Sequence, residues 1–190
     1  MAKTPDLLVL NDGVAIDLAS FLRFGAFFPD NLNGTDFTWT LLSRLDRDAN
    51  IFLLGSRHDV VESAAKVFGR LPHVRVVGYA DGYTIWADEA AVVRRVQQSA
   101  PDILLVGLGN PIQEEWMLRN RNVLEAPLMV SVGALFDFVS GSKPRAPKVL
   151  RVMRLEWAHR LALEPRRLLA RYTVGIGRFF AAVLGGSSKD

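Results

Sequence analysis

Short apolar runs alternating with segments of helical period constrain this chain more than any other feature. Ile51–Leu54, Val74–Val77, Ile103–Leu105 and Leu128–Val132 are too short for helices and read as buried strands. Between them lie amphipathic patterns of roughly 10–15 residues: His58–Phe68 with Gly69 as a stop, Thr84–Gln98, and a periodic segment reaching Leu124. Parallel neighbours need a crossover, so this alternation predicts a mostly parallel sheet with helices on both faces. Leu7–Leu10 is expected to be a further, first strand that stops at Asn11-Asp12-Gly13. Val14–Phe24 has a helical stripe, and Thr35 or Asp36 is expected to cap a helix through Leu45.

After Gly141 the pattern changes. Residues 143–180 hold ten Lys/Arg against two Asp/Glu, a net of +8 in a chain whose total is +3. Val149–Leu163 is amphipathic, Pro165 interrupts it, and Arg166–Leu184 mixes arginines with aromatic and aliphatic residues. The predicted organisation is therefore a Rossmann-like three-layer α/β domain over residues 1–142. A basic amphipathic helical appendage, residues 143–190, would follow it. A basic tail on an acidic body calls for an anionic partner. Its apolar residues favour an anionic membrane surface, and no recognisable nucleic-acid module is present. Solvated cations on a docking helix pair are the plainer reading.

Composition excludes several classes. At 49% hydrophobic and 23% charged the chain is globular, and without cysteine it holds neither disulfides nor thiolate metal sites. His58, His73 and His159 show no ligand spacing. The amino-terminal residues lack the apolar core of a signal peptide, and no uncharged run approaches the roughly 18 residues of a spanning helix. Asp46-Arg47-Asp48 mimics a metal-binding Asp-x-Asp pair, but it falls at the amino end of a strand, whereas ligands gather at carboxyl ends. A solvated helix end fits it better.

The joint at Val106–Trp116 carries the strongest local signal. Gly107-x-Gly109-x-Pro111 sits where a strand hands over to a helix, either as a phosphate cradle or as an ordinary tight turn. A dinucleotide fingerprint would require glycine at Ile112, and Glu114 and Glu115 at the helix start would repel a phosphate. Asp12 can serve as a general base or simply belong to an Asp-Gly turn. Asn33-Gly34-Thr35-Asp36 resembles a turn and cap. In Gly78–Tyr83, Tyr79, Tyr83 and Asp81 line a pocket or fill a surface loop.

Together these residues resemble the WecG/TagA/CpsF family of bacterial glycosyltransferases. Asp12-Gly13 resembles the family's Asp-Gly element, and Asn33-Gly34-Thr35-Asp36 its Gly-x-Asp element. Gly107-Leu108-Gly109-Asn110-Pro111-Ile112-Gln113-Glu114-Glu115-Trp116 is similar to its Gly-x-Gly-x-Pro-x-Gln-Glu-x-Trp signature. Val132–Asp137, Gly141-x-x-x-Arg145-Ala146-Pro147 and Leu155–Leu168 also match, so the likeness runs from about residue 7 to 172.

The resemblance implies an inverting, metal-independent enzyme without a cofactor. It would move a sugar from a UDP-sugar, such as UDP-N-acetylmannosamine, to a polyprenyl-pyrophosphate-linked acceptor in exopolysaccharide or envelope-glycan synthesis. Asp12 would be the catalytic base. Gly13, Asn33, Asp36, Gly55, Tyr83, Gly107, Gly109, Pro111, Gln113 and Glu114 would shape the substrate site, with Gln113 pointing in; the i, i+4 spacing separately suggests that Glu115 pairs with Arg119. Arg160, Arg167 and Arg171 would meet the diphosphate or lipid headgroups. The implied setting is the cytoplasm, peripheral on the inner face of the plasma membrane, with homo-oligomerisation left open. Family members usually carry a longer segment, including a strand, before the Asp-Gly element; that segment is expected to be missing here. Asn31 also stands where part of the family has arginine. A dinucleotide-binding oxidoreductase and a non-catalytic membrane-associated homologue are the alternatives.

Overall fold

A computed structural model describes residues 7–147, 149–150, 156–163, 165 and 175–185. The four apolar runs become strands β1 (Ala49–Gly55), β2 (Val74–Ala80), β3 (Ile103–Gly107) and β4 (Leu128–Ser131). They form one parallel sheet in the order β2-β1-β3-β4. β1 and β3 lie in the middle and are buried on both faces, which is why they read as unbroken apolar runs. The helices between the strands are α3 (His58–Phe68), α4 (Thr84–Ser99) and α5 (Ile112–Leu124); α1 (Val14–Phe24) and α2 (Gly34–Ser43) precede the sheet, and α6 (Leu135–Val139) follows it.

Alternation along β1 and β3 sorts the core into two layers. Ile51, Leu53, Ile103 and Leu105 face Leu42 of α2, Phe68 and its neighbours on α3, and Leu135 and Phe136 of α6. Phe52, Leu54, Leu104 and Val106 face Val92, Val93 and Val96 of α4 and Trp116 of α5. The predicted three-layer α/β architecture is therefore present. The chain leaves β1 for β2 on one side and then crosses to β3 on the other. That reversal opens a crevice between the carboxyl ends of β1 and β3, the usual ligand position in such sheets.

Contacts divide the chain into two compact units, residues 34–144 with the sheet and residues 1–33 with 145–190. In the second, α1 packs on α8 (Ile176–Gly185), and the Arg23 guanidinium donates to the Val183 carbonyl at 3.3 Å. Gly25, at φ 71, closes α1 in the left-handed conformation that favours glycine. Phe21 and Phe27 stack with centroids 4.7 Å apart. The appendage also contains α7 (Glu156–Leu163), while the rest of the two expected tail helices, at 151–155 and 166–174, lies outside the described residues. Among the described residues no helix is long and apolar enough to cross a membrane.

Several expectations change. Leu7–Leu10 is not a strand: a run this short needs a hydrogen-bonding neighbour, and the adjoining Asn11 carbonyl instead accepts from Leu32 N–H at 3.1 Å. α2 begins at Gly34, which places Thr35 and Asp36 inside its first turn rather than at its cap, and it ends at Ser43. β2 runs on through Gly78, Tyr79 and Ala80, absorbing half of the expected loop because Tyr79 and Ala80 pair with Leu53 and Leu54. Gly69 stops α3 without a left-handed turn, at φ −64.

Candidate functional site

Gly55 and Gly107 are register partners at the carboxyl ends of β1 and β3. A side chain at Gly55, where φ is 141, would place its Cβ 2.3 Å from the Gly107 carbonyl oxygen. Only glycine lets the two strand ends meet this closely. The Ser56 N–H then donates to the Gly107 carbonyl at 3.2 Å, and the Gly82 N–H donates to the Ser56 carbonyl at 2.8 Å. Backbone of three loops is thus locked together at the switch point.

Above this floor lies a cleft of about 280 Å3, lined by Ser56, Gly82, Gly107, Leu108 and Ile112, with Tyr83 and Trp86 on one wall. Tyr83 and Trp86 sit three residues apart at the start of α4 and are 67% and 72% exposed. Asp81 fixes that start: its carboxylate accepts from the amides of Tyr83 and Thr84, both at 3.0 Å, and from the Thr84 hydroxyl. The Thr84 hydrogen bond, followed by those amides, holds the Asp81 carboxyl below the usual carboxylate range against the opposing effect of burial. At the cleft's other edge the Ser56 hydroxyl donates to Asp137 at 2.8 Å, and Lys143 lies 3.3 Å from the second oxygen of that carboxylate.

Gly109 takes φ 82, a left-handed turn into α5, and the Asn110–Pro111 peptide is cis. Gln113 is 5% exposed. Its side-chain carbonyl accepts from Gly133 N–H at 3.2 Å and its amide donates to Glu114 at 2.7 Å. It therefore braces the turn from behind rather than lining the cleft. Glu114 keeps one buried carboxylate oxygen without a hydrogen bond. A diphosphate at the start of α5 would meet this acid, which counts against the phosphate cradle. The expected Glu115–Arg119 pair is replaced by Arg119–Glu89, at 3.4 Å, because α4 lies alongside.

The remaining expected residues fall in different places. Asp36 is half-buried in the first turn of α2, whose Gly34 approaches the Ser131 carbonyl at the end of β4. Asp12 is exposed just before α1, with Gly13 at the helix cap and its N–H donating to the Asn31 side chain at 3.4 Å. Asn33 is half-buried ahead of α2. Arg160 belongs to α7, and Arg167 and Arg171 lie outside the described residues. Ser56, Trp86 and Lys143 were given no site role by the sequence reading, and Leu108 and Asp137 stood in matched motifs without one. An aromatic three residues after Tyr83 was the one available signal for Trp86. Asp48, in the rejected Asp-x-Asp pair, lies 2.9 Å from the His73 ring at the amino end of the sheet.

Residues 4–189 match the family described as the glycosyl transferase WecG/TagA/CpsF family. The chain belongs to that family. It is similar to the N-acetylglucosaminyldiphosphoundecaprenol N-acetyl-beta-D-mannosaminyltransferase of Bacillus spizizenii, with 31% identity over 178 residues covering 93% of this chain and 67% of the relative. The protein of the same name from Bacillus subtilis is 30% identical over 84% of this chain and 62% of its own length. The one from Staphylococcus aureus is 35% identical over 62% and 46%. The chain thus spans between about half and two thirds of the length of these relatives. The first glycine of the family signature, Gly107, lies at the floor of the cleft, and the dinucleotide-oxidoreductase alternative is not favoured.

Proposed function

We propose that this chain transfers N-acetylmannosamine, or a closely similar sugar, from a UDP-sugar to an acceptor of the N-acetylglucosaminyl-diphospho-undecaprenol type. The observation that carries the reading is the 178-residue likeness to an N-acetylmannosaminyltransferase. It is supported by a cleft at the topological switch point.

In this reading the acceptor hydroxyl oxygen attacks the anomeric carbon from the face opposite the diphosphate. The bond to the diphosphate breaks, UDP leaves with the electron pair, and configuration inverts. Asp12 takes the proton of the attacking hydroxyl. The reaction needs no metal if fixed cations balance the charge on the departing diphosphate, a role given to Arg160, Arg167 and Arg171. The basic tail works at the inner face of the plasma membrane, where a lipid-linked acceptor is anchored.

Asp12→Ala tests the base assignment. Asp12 is exposed, and an unchanged melting temperature of the variant would show that the fold is intact. Sugar transfer to a lipid-diphosphate acceptor should fall by about 100-fold or more, while UDP binding persists. Full transfer by the variant would refute Asp12 as base. No turnover of any UDP-sugar by the unaltered protein would refute the transferase reading itself.

A further inference from the structure

We propose that Tyr83 and Trp86 form a platform on which the planar base of the donor nucleotide stacks, with the phosphates directed away from the two acidic helix starts beside the cleft. This rests on the UDP-sugar reading above and says which part of the donor the cleft takes.

Size comes first. About 280 Å3 is at or below the small end of ligand pockets, roughly 300–1,000 Å3. Such a space is small for an entire nucleotide sugar, so the cleft would take only part of the donor. Charge then disfavours the diphosphate at the two helix starts beside the cleft. A helix start normally attracts phosphate, yet both helix starts at this cleft carry a carboxylate. Asp81 already takes the Tyr83 and Thr84 amides, and Glu114 stands in the first turn of α5 with one buried oxygen unpaired. Hydrogen bonds that hold the Asp81 carboxyl below its ordinary value keep that helix start anionic. A neutral ring meets no such repulsion.

Surface chemistry separates a base from a sugar. The floor is glycine backbone and the side of Leu108, and it is close-packed at Gly82, where a Cβ would lie 3.0 Å from Leu108 Cδ2 and 3.3 Å from Gly55 Cα. The one aliphatic hydroxyl in the lining, Ser56, spends its proton on Asp137. Sugar hydroxyls would find few partners here. A flat ring finds two aromatic faces, 67% and 72% exposed and one helical turn apart, on a backbone pinned by Asp81. Stacking on such rings is sequence-tolerant and strong enough to set affinity.

Calorimetric titration of the unaltered protein, Trp86→Ala and Trp86→Phe with UDP and with UDP-N-acetylmannosamine tests the platform. Because Trp86 is 72% exposed, neither variant should change the melting temperature. The platform predicts that Trp86→Ala weakens both ligands by the same factor, about tenfold, and that Trp86→Phe restores most of it. Equal affinity of Trp86→Ala and the unaltered protein for UDP would overturn the proposal. So would a loss confined to the sugar nucleotide, which would put the sugar ring on the platform. Failure of the unaltered protein to bind UDP at all is a separate result that removes the donor reading beneath it.

Discussion

Gly55 shows how much a single residue decides. It combines a φ of 141 with a Cβ position 2.3 Å from a neighbouring carbonyl oxygen, so even alanine meets both torsional strain and a backbone clash. The obstructing atom is main chain and cannot swing aside. Gly55→Ala should destabilise the fold by about 3 kcal/mol or more, read as a lower urea midpoint with an unchanged slope. A loss under about 1 kcal/mol would mean the strand ends part easily, and the cleft floor would then not be rigid. The sequence marks Gly55 as the residue after a strand, but the reason for glycine there lies in a partner some fifty positions away. Gln113 shows the same limit from the other side. Its place beside the glycine turn suggests a pocket residue, yet its buried hydrogen bond to Gly133 makes it a brace.

At the scale of elements, helices with a clear stripe and a local stop were legible, as were the four strands written as apolar runs, whereas a run that finds no partner in the sheet was not. Val14–Phe24 and His58–Phe68 form over the expected residues, because amphipathic period and flanking glycine are local properties. Leu7–Leu10 fails as a strand because pairing is not local. α4 lies between these cases. Asp88 breaks it, with φ −156, and accepts from Ala91 N–H at 2.8 Å, so the turn bearing Trp86 is set apart from the rest. Asp81 secures that turn, which makes it testable. Asp81→Ala should cost about 1–2 kcal/mol at neutral pH and weaken UDP binding by loosening the aromatic wall. The carboxyl is depressed in the folded protein, so its contribution is fully present above the unfolded value of about 3.9. It is lost as pH falls through the lower folded value. The stability gap between the two proteins should therefore hold from pH 7 to about 5 and close below about 4. A gap that stayed constant into strong acid would show that the charge does not matter.

Across the whole molecule, cations gather at the carboxyl-terminal end of the sequence, with a net of +8 over residues 143–180 against +3 for the chain. This asymmetry was fully legible in the sequence, since it needs no folding to exist, and it motivates the proposed membrane role. Deleting the tail would be a poor test. Val183 accepts a hydrogen bond from Arg23 and α8 packs on α1, so truncation would also strip support from the helix that follows Asp12. Charge neutralisation leaves the chain intact. Each basic residue near an anionic surface contributes about 1 kcal/mol, so Arg166→Gln, Arg167→Gln and Arg171→Gln together should lower partitioning onto phosphatidylglycerol vesicles by roughly 100-fold. Binding of the unaltered protein should weaken as salt shortens the reach of those charges. Vesicle binding that neither the triple substitution nor salt reduces would assign attachment to the apolar residues of the appendage, and the arginines would then be free to serve the acceptor's diphosphate alone.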